Sequence, residues 1–322
     1  MLRGQKEIMK DYSFLLSRPE RTFPDDEIDR YFAGRRVLVT GAGGTIGSAV
    51  CKRLIGVAKF VGALGHSELP LFNLREEIDP SRGGMRLADV RRPLDEIFLD
   101  WKPDVVIHAA AHKHVGLLEK QPLEAYVNNV GGTINVAATA IRCGVEKFVF
   151  VSTDKAARPT SVMGRSKRLA ELWLLAKYKA AGIVRFGNVL GSSGSLVEII
   201  EKRIAENQTI VLTHPGMERW FITAREAVGL VLSAAIYAPG IYSLDMGDPV
   251  NIFDIAEKLL YANGGRGQIV FSNPGSGEKL TEHLTNEDEE LSSFPGAPGI
   301  FEITHPPVTE RDFENFRQEH FA

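Results

Sequence analysis

The chain of 322 residues is 44% hydrophobic and 25% charged, a balance that predicts one large or two closely associated globular units with a sizeable core. Its formal net charge of −3 gives no indication of a nucleic-acid-binding surface. Two distant cysteines, Cys51 and Cys143, indicate neither a disulfide framework nor a metal site. The first residues lack the apolar core of a signal peptide, and no window approaches the roughly 18 apolar residues of a membrane span. These features together predict a cytoplasmic protein without a membrane segment.

Residues 1–34 are polar and charged, and we interpret them as an N-terminal arm with one or two short helices. From Arg35 onward, short apolar runs alternate with amphipathic segments, which is typical of right-handed βαβ units. The predicted strands cover 37–40, 60–64, 104–109, 148–151 and 182–186, and the predicted helices cover 46–55, 128–143 and 166–180. This alternation predicts an α/β fold with a Rossmann-like, doubly wound parallel sheet.

The pattern changes after Asn188, where short elements follow a Gly-Ser loop. Helices are predicted over 196–206, within 221–238 and over 252–263, and strands over 209–213, 219–222 and 240–244. Residues 264–322 are rich in Gly and Pro and predict only short elements. We therefore expect an NAD(P)-binding domain of residues 35–190 plus about 223–262. The remaining parts, 191–222 and 263–322, would form a smaller, entwined C-terminal substrate lobe.

A glycine-rich turn joins the first predicted strand to the first predicted helix. Glycine permits a tight turn and a close approach of the backbone to a pyrophosphate, and the helix N-terminus offers free N–H groups. The strand before the turn and the helix after it make this a dinucleotide-binding signal, with an ordinary βα turn as the alternative. The predicted cofactor contacts here are Thr40, Gly41, Gly43, Gly44, Thr45, Ile46 and Gly47.

The end of the second predicted strand carries Gly65 where an acidic residue normally binds the adenosine ribose. His66 or Ser67 would suit a 2′-phosphate, whereas Glu68 would suit a free ribose, so NAD and NADP both stay open. Asp89 and Val90 fall where a loop would contact adenine, with a helix cap as the alternative for Asp89. The far side of the cofactor is predicted to be lined by Ala109, Ala110 and Ala111.

An acid and an amine, Asp154 and Lys155, follow Ser152 and Thr153 at the end of the strand over 148–151. The carboxyl ends of parallel strands are where ligands bind in open α/β sheets, which favours a proton donor and acceptor pair over a surface ion pair. Met163 and Lys167 follow near the start of the next helix. Their alternative is a packed methionine and a solvated lysine.

These residues carry a resemblance to a known family. The glycine turn with Met163-x-x-x-Lys167 resembles the extended short-chain dehydrogenase/reductases. The stretches Ser152-Thr-Asp-Lys-Ala156, Pro159-Thr-Ser-Val-Met-Gly164, Asn188-Val-Leu-Gly-Ser-Ser-Gly194 and Gly277-Glu-Lys-Leu280 are similar to UDP-N-acetylglucosamine 4,6-dehydratases of polysaccharide biosynthesis, in the branch with methionine for tyrosine. The resemblance covers roughly residues 35–285. It implies a tightly bound, recycled NAD or NADP, a UDP-sugar substrate and a homo-oligomer.

The resemblance also implies catalytic, cofactor-binding and substrate-binding roles for individual residues. A 4,6-dehydratase transiently oxidises sugar C4, eliminates water across C5 and C6, and returns the hydride to C6. Lys155 would be the base at C5, Asp154 the acid at the 6-hydroxyl, and Thr153 a hydrogen-bond donor to the C4 oxygen. Met163 stands at the position of the catalytic tyrosine, and Lys167 would hold the nicotinamide ribose. Further cofactor contacts are implied for Ser152, Lys113 and Asn128, and substrate contacts for Lys113, His114, Asn188, Ser195, Arg219 and Glu278.

Simpler structural alternatives accompany several of these residues. Lys113 and His114 fit a charged loop, Asn188 a turn, and Arg219 an exposed edge strand as well as a phosphate ligand. Two other functions also stay open: a nucleotide-sugar 4-epimerase or ketoreductase, and an NAD(P)-binding protein that has lost catalysis. Met163 argues against an epimerase, since it cannot carry the C4 proton.

Overall fold

A computed structural model describes residues 11–265 and 267–321. The strands within these ranges are β1 (Arg36–Thr40), β2 (Phe60–Gly65), β3 (Gly83–Leu87), β4 (Val105–His108), β5 (Lys147–Val151), β6 (Ala181–Arg185), β7 (Asn188–Val189), β8 (Ile210–Leu212), β9 (Glu218–Arg219), β10 (Phe221–Ile222), β11 (Gly240–Leu244), β12 (Val250–Asn251), β13 (Ile269–Phe271), β14 (Glu290–Ser293) and β15 (Ile300–Thr304). Nine of them form one sheet, in the order β14-β15-β11-β6-β5-β4-β1-β2-β3. All pairs from β3 to β11 are parallel, and β15 and β14 are antiparallel.

The helices of the described ranges are α1 (Asp25–Phe32), α2 (Thr45–Leu54), α3 (Glu68–Arg75), α4 (Asp95–Trp101), α5 (Val115–Leu118), α6 (Pro122–Ala125), α7 (Gly132–Arg142), α8 (Val162–Lys177), α9 (Leu196–Ala205), α10 (Ala224–Ile236), α11 (Ile252–Ala262) and α12 (Glu310–Phe321). A π-helical turn, Tyr126–Gly131, precedes α7, and short 3-10 turns lie at Ser13–Leu15 and Asp154–Ala156. The predicted α/β class with a doubly wound parallel sheet is confirmed. None of the helices described is long and apolar enough to cross a bilayer.

The core lies on both faces of the main sheet. Along β1, Val37 and Val39 belong to the cluster under α2 and α10, whereas Leu38 belongs to the cluster under α4, α7 and α8. Such two-sided burial explains why the parallel strands occur in the sequence as continuous apolar runs. A third cluster unites α9, α11 and the β8–β13 pair, with Leu15 and Leu16 of the predicted arm packed into it.

Three differences from the sequence expectations matter for the site. Helix α8 begins at Val162 rather than at Ser166, because the Ser161 hydroxyl accepts the Gly164 N–H and caps the helix earlier. Residues 290–304, predicted to belong to the smaller lobe, pair as β14 and β15 with the main sheet. Helix α12, in a region expected to hold only short elements, packs on α8 through Phe313 and Phe316.

Candidate functional site

A cavity of about 1110 Å³ opens at the carboxyl ends of β1, β4 and β5 and extends toward the loop that precedes α9. This is the edge at which open parallel sheets bind ligands. The cavity brings most of the predicted site residues together. Among the residues that line it are Gly41, Gly44, Thr45, Ile46, Gly47, Ala109, Ala111, Lys113, His114, Ser152, Thr153, Lys155, Met163, Lys167, Asn188, Ser195, Arg219 and Glu278.

The glycine turn between β1 and α2 needs glycine at two positions for different reasons. Gly41 has a φ of 68°, and a Cβ atom there would lie 2.6 Å from the Ala110 backbone nitrogen. A Cβ at Gly47 would overlap the Gly41 carbonyl oxygen, inside the first turn of α2. The first residues of α2 line the cavity, and the first N–H groups of a helix have no helical acceptors. This geometry suits an anionic group such as a pyrophosphate.

Polar side chains fix the strand ends beside this turn. The Thr40 hydroxyl lies 2.6 Å from His108 Nδ1, and His108 Nε2 lies 3.0 Å from the Thr133 hydroxyl. Burial, with a smaller contribution from the Lys167 charge, lowers the pKa of His108 to about 3, so this imidazole is neutral. Thr40 is thus a buried partner of His108, and the structure does not place it on the cavity wall.

Asn128 is a predicted cofactor contact, but neither it nor its neighbour Asn129 lines the cavity, and Asn129 makes more of the hydrogen bonds. The Asn129 carboxamide accepts the His112 N–H and donates to the His112 carbonyl and the Ser166 hydroxyl. The Asn128 carboxamide donates to Asn129 and does not line the cavity. The π-helical turn shifts the helix phase here, which sequence periodicity does not reveal.

Other predicted cofactor residues lie outside the cavity lining. His66, Ser67 and Glu68 are exposed at the end of β2, with His66 Nε2 3.3 Å from the Ser67 hydroxyl. Asp89 accepts hydrogen bonds from Arg91, and α4 begins only at Asp95, so the helix-cap alternative for Asp89 is wrong. Three more predicted cofactor residues lie outside the cavity lining. Gly43 lies beside Pro70, Val90 packs on Gly132, and Ala110 lies against Gly41.

The acid and amine that follow β5 are in direct contact. Lys155 Nζ lies 3.0 Å from Asp154 Oδ1 and 3.2 Å from Asn188 Oδ1. The Thr153 hydroxyl donates to the same Asp154 oxygen at 2.9 Å. Lys155 and Thr153 line the cavity, but Asp154 is fully buried and does not. Asp154 therefore lies behind the amine and the hydroxyl, and not on the face open to a ligand.

A second carboxylate approaches Lys155 from a distant part of the chain. Glu282 Oε1 lies 4.0 Å from Lys155 Nζ and 3.9 Å from Arg219 Nε, and Glu282 Oε2 lies 3.4 Å from Lys279 Nζ. Glu282 is 4% exposed and lines the cavity. Arg219, predicted as either an exposed edge residue or a phosphate ligand, is buried and donates to the backbone carbonyls of residues 279 and 280. Sequence reasoning missed Glu282, although it follows the Gly277-Glu-Lys-Leu280 motif by two residues.

Lys167 and Met163 lie on the first two turns of α8. Lys167 Nζ donates to the Val151 carbonyl at 2.6 Å and sits 3.9 Å from the centre of the Phe150 ring. Burial lowers the pKa of Lys167 to about 7, so the alternative of a solvated lysine is wrong. Met163 packs with Leu118 and Ala125 and is also one of the residues that line the cavity.

A buried network of ion pairs and hydrogen bonds joins the ends of β5 and β6. The Ser152 hydroxyl donates to Glu171 Oε1 at 2.6 Å, and the fully buried Arg185 bridges Glu171 and Glu289 at 2.7 and 2.5 Å. Burial of the Glu289 carboxyl opposes its ionisation, but hydrogen bonds and charges of Arg185 and Arg168 outweigh this and lower its pKa to about 2. Sequence reasoning missed this network because the acids come from α8 and from the loop before β14.

The loop before α9 closes the far side of the cavity. The Ser193 N–H donates to the Thr45 hydroxyl at 3.2 Å, and Lys113 Nζ lies 3.5 Å from the Ser192 hydroxyl. A Cβ at Gly194 would lie 2.7 Å from the His114 ring. The Ser195 hydroxyl, at the start of α9, is buried and has no hydrogen-bond partner in the part of the chain that the structure describes. Glu278 accepts the Gly275 N–H.

The family model described as "Polysaccharide biosynthesis protein" matches residues 37–301. The probable polysaccharide biosynthesis protein EpsC of Bacillus subtilis is 41% identical, over 85% of this chain and 49% of its own length. The capsular polysaccharide biosynthesis protein CapD of Staphylococcus aureus is 41% identical, over 81% of this chain and 47% of its own length. The chain thus spans about half the length of these curated relatives. A UDP-glucose 4-epimerase of Rickettsia canadensis is 30% identical over 80% of each chain.

Solved structures are similar over most of the chain. Pen from Bacillus thuringiensis has a TM-score of 0.78 at 31% identity, over 87% of this chain and 90% of its own. The dTDP-glucose 4,6-dehydratase DesIV of Streptomyces venezuelae, with NAD and TYD bound, has a TM-score of 0.69 at 22% identity, over 77% of this chain and 88% of its own. The UDP-glucose 4-epimerase of Thermus thermophilus, in complex with NAD, has a TM-score of 0.69 at 23% identity, over 78% of this chain and 90% of its own. The last two share the fold.

Proposed function

Since the chain belongs to the polysaccharide biosynthesis protein family, we propose that it is a nucleotide-sugar 4,6-dehydratase that acts on UDP-N-acetylglucosamine. The observation that carries the proposal is the position of Lys155, which lines the cavity 3.0 Å from a buried carboxylate. An amine in this position suits proton abstraction from the carbon beside a ketone, which a dehydratase requires and a simple dehydrogenase does not.

The residues around the glycine turn fit a nicotinamide dinucleotide. A side chain at Gly41 or Gly47 would collide with neighbouring backbone and distort the turn, and the N-terminal residues of α2 line the cavity. The NAD-bound structural neighbours support NAD as the cofactor, while the missing acid at Gly65 keeps NADP open. Lys167 would hold the nicotinamide ribose, and Ser152, anchored by Glu171, would border the same end of the cofactor. Bound NAD(P)⁺ supplies the transient oxidation of sugar C4.

Lys155, Thr153 and Asn188 would surround the reacting edge of the sugar. The Thr153 hydroxyl would turn from Asp154 to donate to the C4 oxygen and so acidify the C5 proton. The Lys155 amine would take that proton, and the Asp154 carboxylate would stabilise the resulting ammonium at 3.0 Å. The acid role predicted for Asp154 stays a proposal, with its carboxyl group buried behind Lys155 and Thr153. Lys113, His114, Ser195, Arg219 and Glu278 stay proposed substrate contacts, as they border the same space.

A nucleotide-sugar 4-epimerase is the second candidate, and the Rickettsia relative is the observation in its favour. Met163 opposes it, because Met163 lines the cavity at the position that the resemblance gives to the proton-carrying tyrosine, and a thioether carries no proton. Lys155 would also have no proton to move in such a reaction. Under either function, a cytoplasmic setting stays a prediction from the sequence composition, and a homo-oligomeric assembly stays a prediction of the resemblance.

Proton NMR of UDP-N-acetylglucosamine incubated with the protein in D₂O tests the proposal. We expect a 4-keto-6-deoxy sugar with deuterium at C5, and a loss of turnover of at least roughly 100-fold in Lys155→Ala. Lys179→Ala, which removes an exposed lysine just after α8, is the matched control and should leave the rate unchanged. An unchanged sugar, or inversion at C4 without loss of water, would refute the dehydratase assignment.

A further inference from the structure

The loop before α9, residues 191–195, forms a wall of the cavity that is rich in glycine. Gly191 and Gly194 have φ angles of 66° and 67°, in the region that favours glycine. On the cavity side of this loop, the Ser192 hydroxyl lies 3.5 Å from Lys113 Nζ, at the outer limit of a hydrogen bond. Because glycine loses more conformational freedom on ordering than any other residue, this loop needs support from its surroundings to keep one position.

The N-terminal arm contacts this loop through Tyr12, which does not line the cavity. The Tyr12 ring lies so close to Gly191 that a Cβ atom on this residue would overlap it. The Tyr12 hydroxyl donates to Glu201 Oε2 at 2.8 Å, and Glu201 belongs to α9. One aromatic side chain therefore contacts both the loop and the helix that follows it, and its ring fills the space into which the loop backbone would otherwise move.

Two leucines of the arm keep Tyr12 in this place. Leu15, which is fully buried, and Leu16 belong to the same apolar cluster as Val197 and Ile200 of α9, and the Tyr12 ring packs against that cluster. Val197 also lines the cavity. The cluster that anchors the arm thus extends to the cavity wall, so a change in the packing of the arm can reach a bound ligand.

Farther along, the arm is attached to a different part of the protein. Arg18 Nη1 lies 2.5 Å from Glu226 Oε1, and the two side chains are 9% and 0% exposed. The Arg21 N–H donates to the same carboxylate oxygen at 2.8 Å. Glu226 completes the capping box of α10, a helix that packs on the main sheet. The arm therefore joins the wall formed by the loop and α9 to a helix that is fixed on the sheet.

We propose that Tyr12 is a positioning residue for the UDP-sugar, an inference that rests on the nucleotide-sugar part of the proposed function. Tyr12 holds the loop before α9 in one conformation before the ligand arrives, so that binding does not have to order the loop. The proposed substrate contacts Lys113 and His114 then meet a wall that is already in place. The glycine turn at Gly41 keeps its own backbone geometry, so the effect should spare the dinucleotide.

Calorimetric binding of UDP and of NAD, neither of which requires turnover, tests this role. Tyr12→Ala should raise the Kd of UDP about tenfold, as for a loop that is in its binding position about one tenth of the time, and should change the Kd of NAD by at most about twofold. Tyr12→Phe keeps the ring against Gly191 and loses only the hydroxyl, so its Kd for UDP should rise at most about threefold. Phe14→Ala, in the same 3-10 turn but 52% exposed, is the matched control and should change neither value.

The outcomes separate this role from a general effect on folding and from the dehydratase assignment. An unchanged Kd of UDP in Tyr12→Ala would overturn the positioning role. Equal weakening of UDP and NAD binding would also overturn it, because a loss of folded protein lowers both. If UDP binding alone weakens in a protein that releases no water from UDP-N-acetylglucosamine, the positioning role stands and the dehydratase function falls. A wild-type protein that binds no UDP would refute both.

Discussion

The turn between β1 and α2 and the segment from Glu278 to Glu289 both contribute to the same site, but they are built in opposite ways. The turn works through its backbone: glycines keep the chain close to Ala110 and expose the N–H groups of α2. The C-terminal segment works through two carboxylates, Glu282 beside Lys155 and Glu289 beside Arg185. Local backbone geometry leaves a signature in a short stretch of sequence, whereas a side chain delivered from a distant segment does not.

The largest effect should follow from breaking the distant contact at Glu289. Glu289→Gln leaves the buried Arg185 and Arg168 without one of their two carboxylate partners. We expect a loss of about 3–5 kcal/mol in the free energy of unfolding, since an uncompensated charge stays buried. Urea unfolding followed by circular dichroism measures it. Glu290→Gln, on the exposed neighbour, is the control, and similar midpoints for the two variants would contradict this account.

A smaller effect should follow at the glycine turn, for which Gly144, located after α7, is a matched control with nearly the same φ as Gly41. Gly41 has a φ of 68° and lies against Ala110, while Gly144 has a φ of 69°, and a Cβ atom added there would meet nothing within 4 Å. Gly144→Ala should lose about 1–2 kcal/mol from backbone strain alone. Gly41→Ala should lose about 1–3 kcal/mol more, because its methyl group meets backbone. Calorimetric binding of NAD should weaken in Gly41→Ala only; equal behaviour of both variants would mean that the close approach is unimportant.

The same contrast explains how much of this molecule is predictable from its sequence. The sheet class and the strands that lead to Gly41, Thr153 and Lys155 follow from local patterns, because both sheet faces are buried and the turns are short. The strands β14 and β15 do not, since their partner β11 lies far away in the chain. For Asp154, the sequence places the carboxyl next to Lys155 but does not say which of the two faces the cavity. Glu282 escapes prediction, as nothing local marks it as a neighbour of Lys155.

Lys167 depends both on a local sequence motif and on packing against another strand. The smallest of the expected changes in the free energy of unfolding should occur there. Its position on α8 follows from the sequence motif, but its state depends on burial against Phe150 and Val151, which lowers its pKa from 10.5 to about 7. Above pH 7 the folded protein therefore binds fewer protons at this site than the unfolded chain, which keeps the lysine charged up to about pH 10.

The free energy of unfolding should thus rise as the pH increases from about 7 to about 10. Relative to Lys167→Met, the wild-type free energy of unfolding should increase by about 1 kcal/mol between pH 7 and pH 8. Urea titrations of both proteins at the two pH values measure this difference, in which the other titrating groups cancel. A constant difference would mean that the Lys167 ammonium keeps its proton in the folded state, held by the Val151 carbonyl and the Phe150 ring.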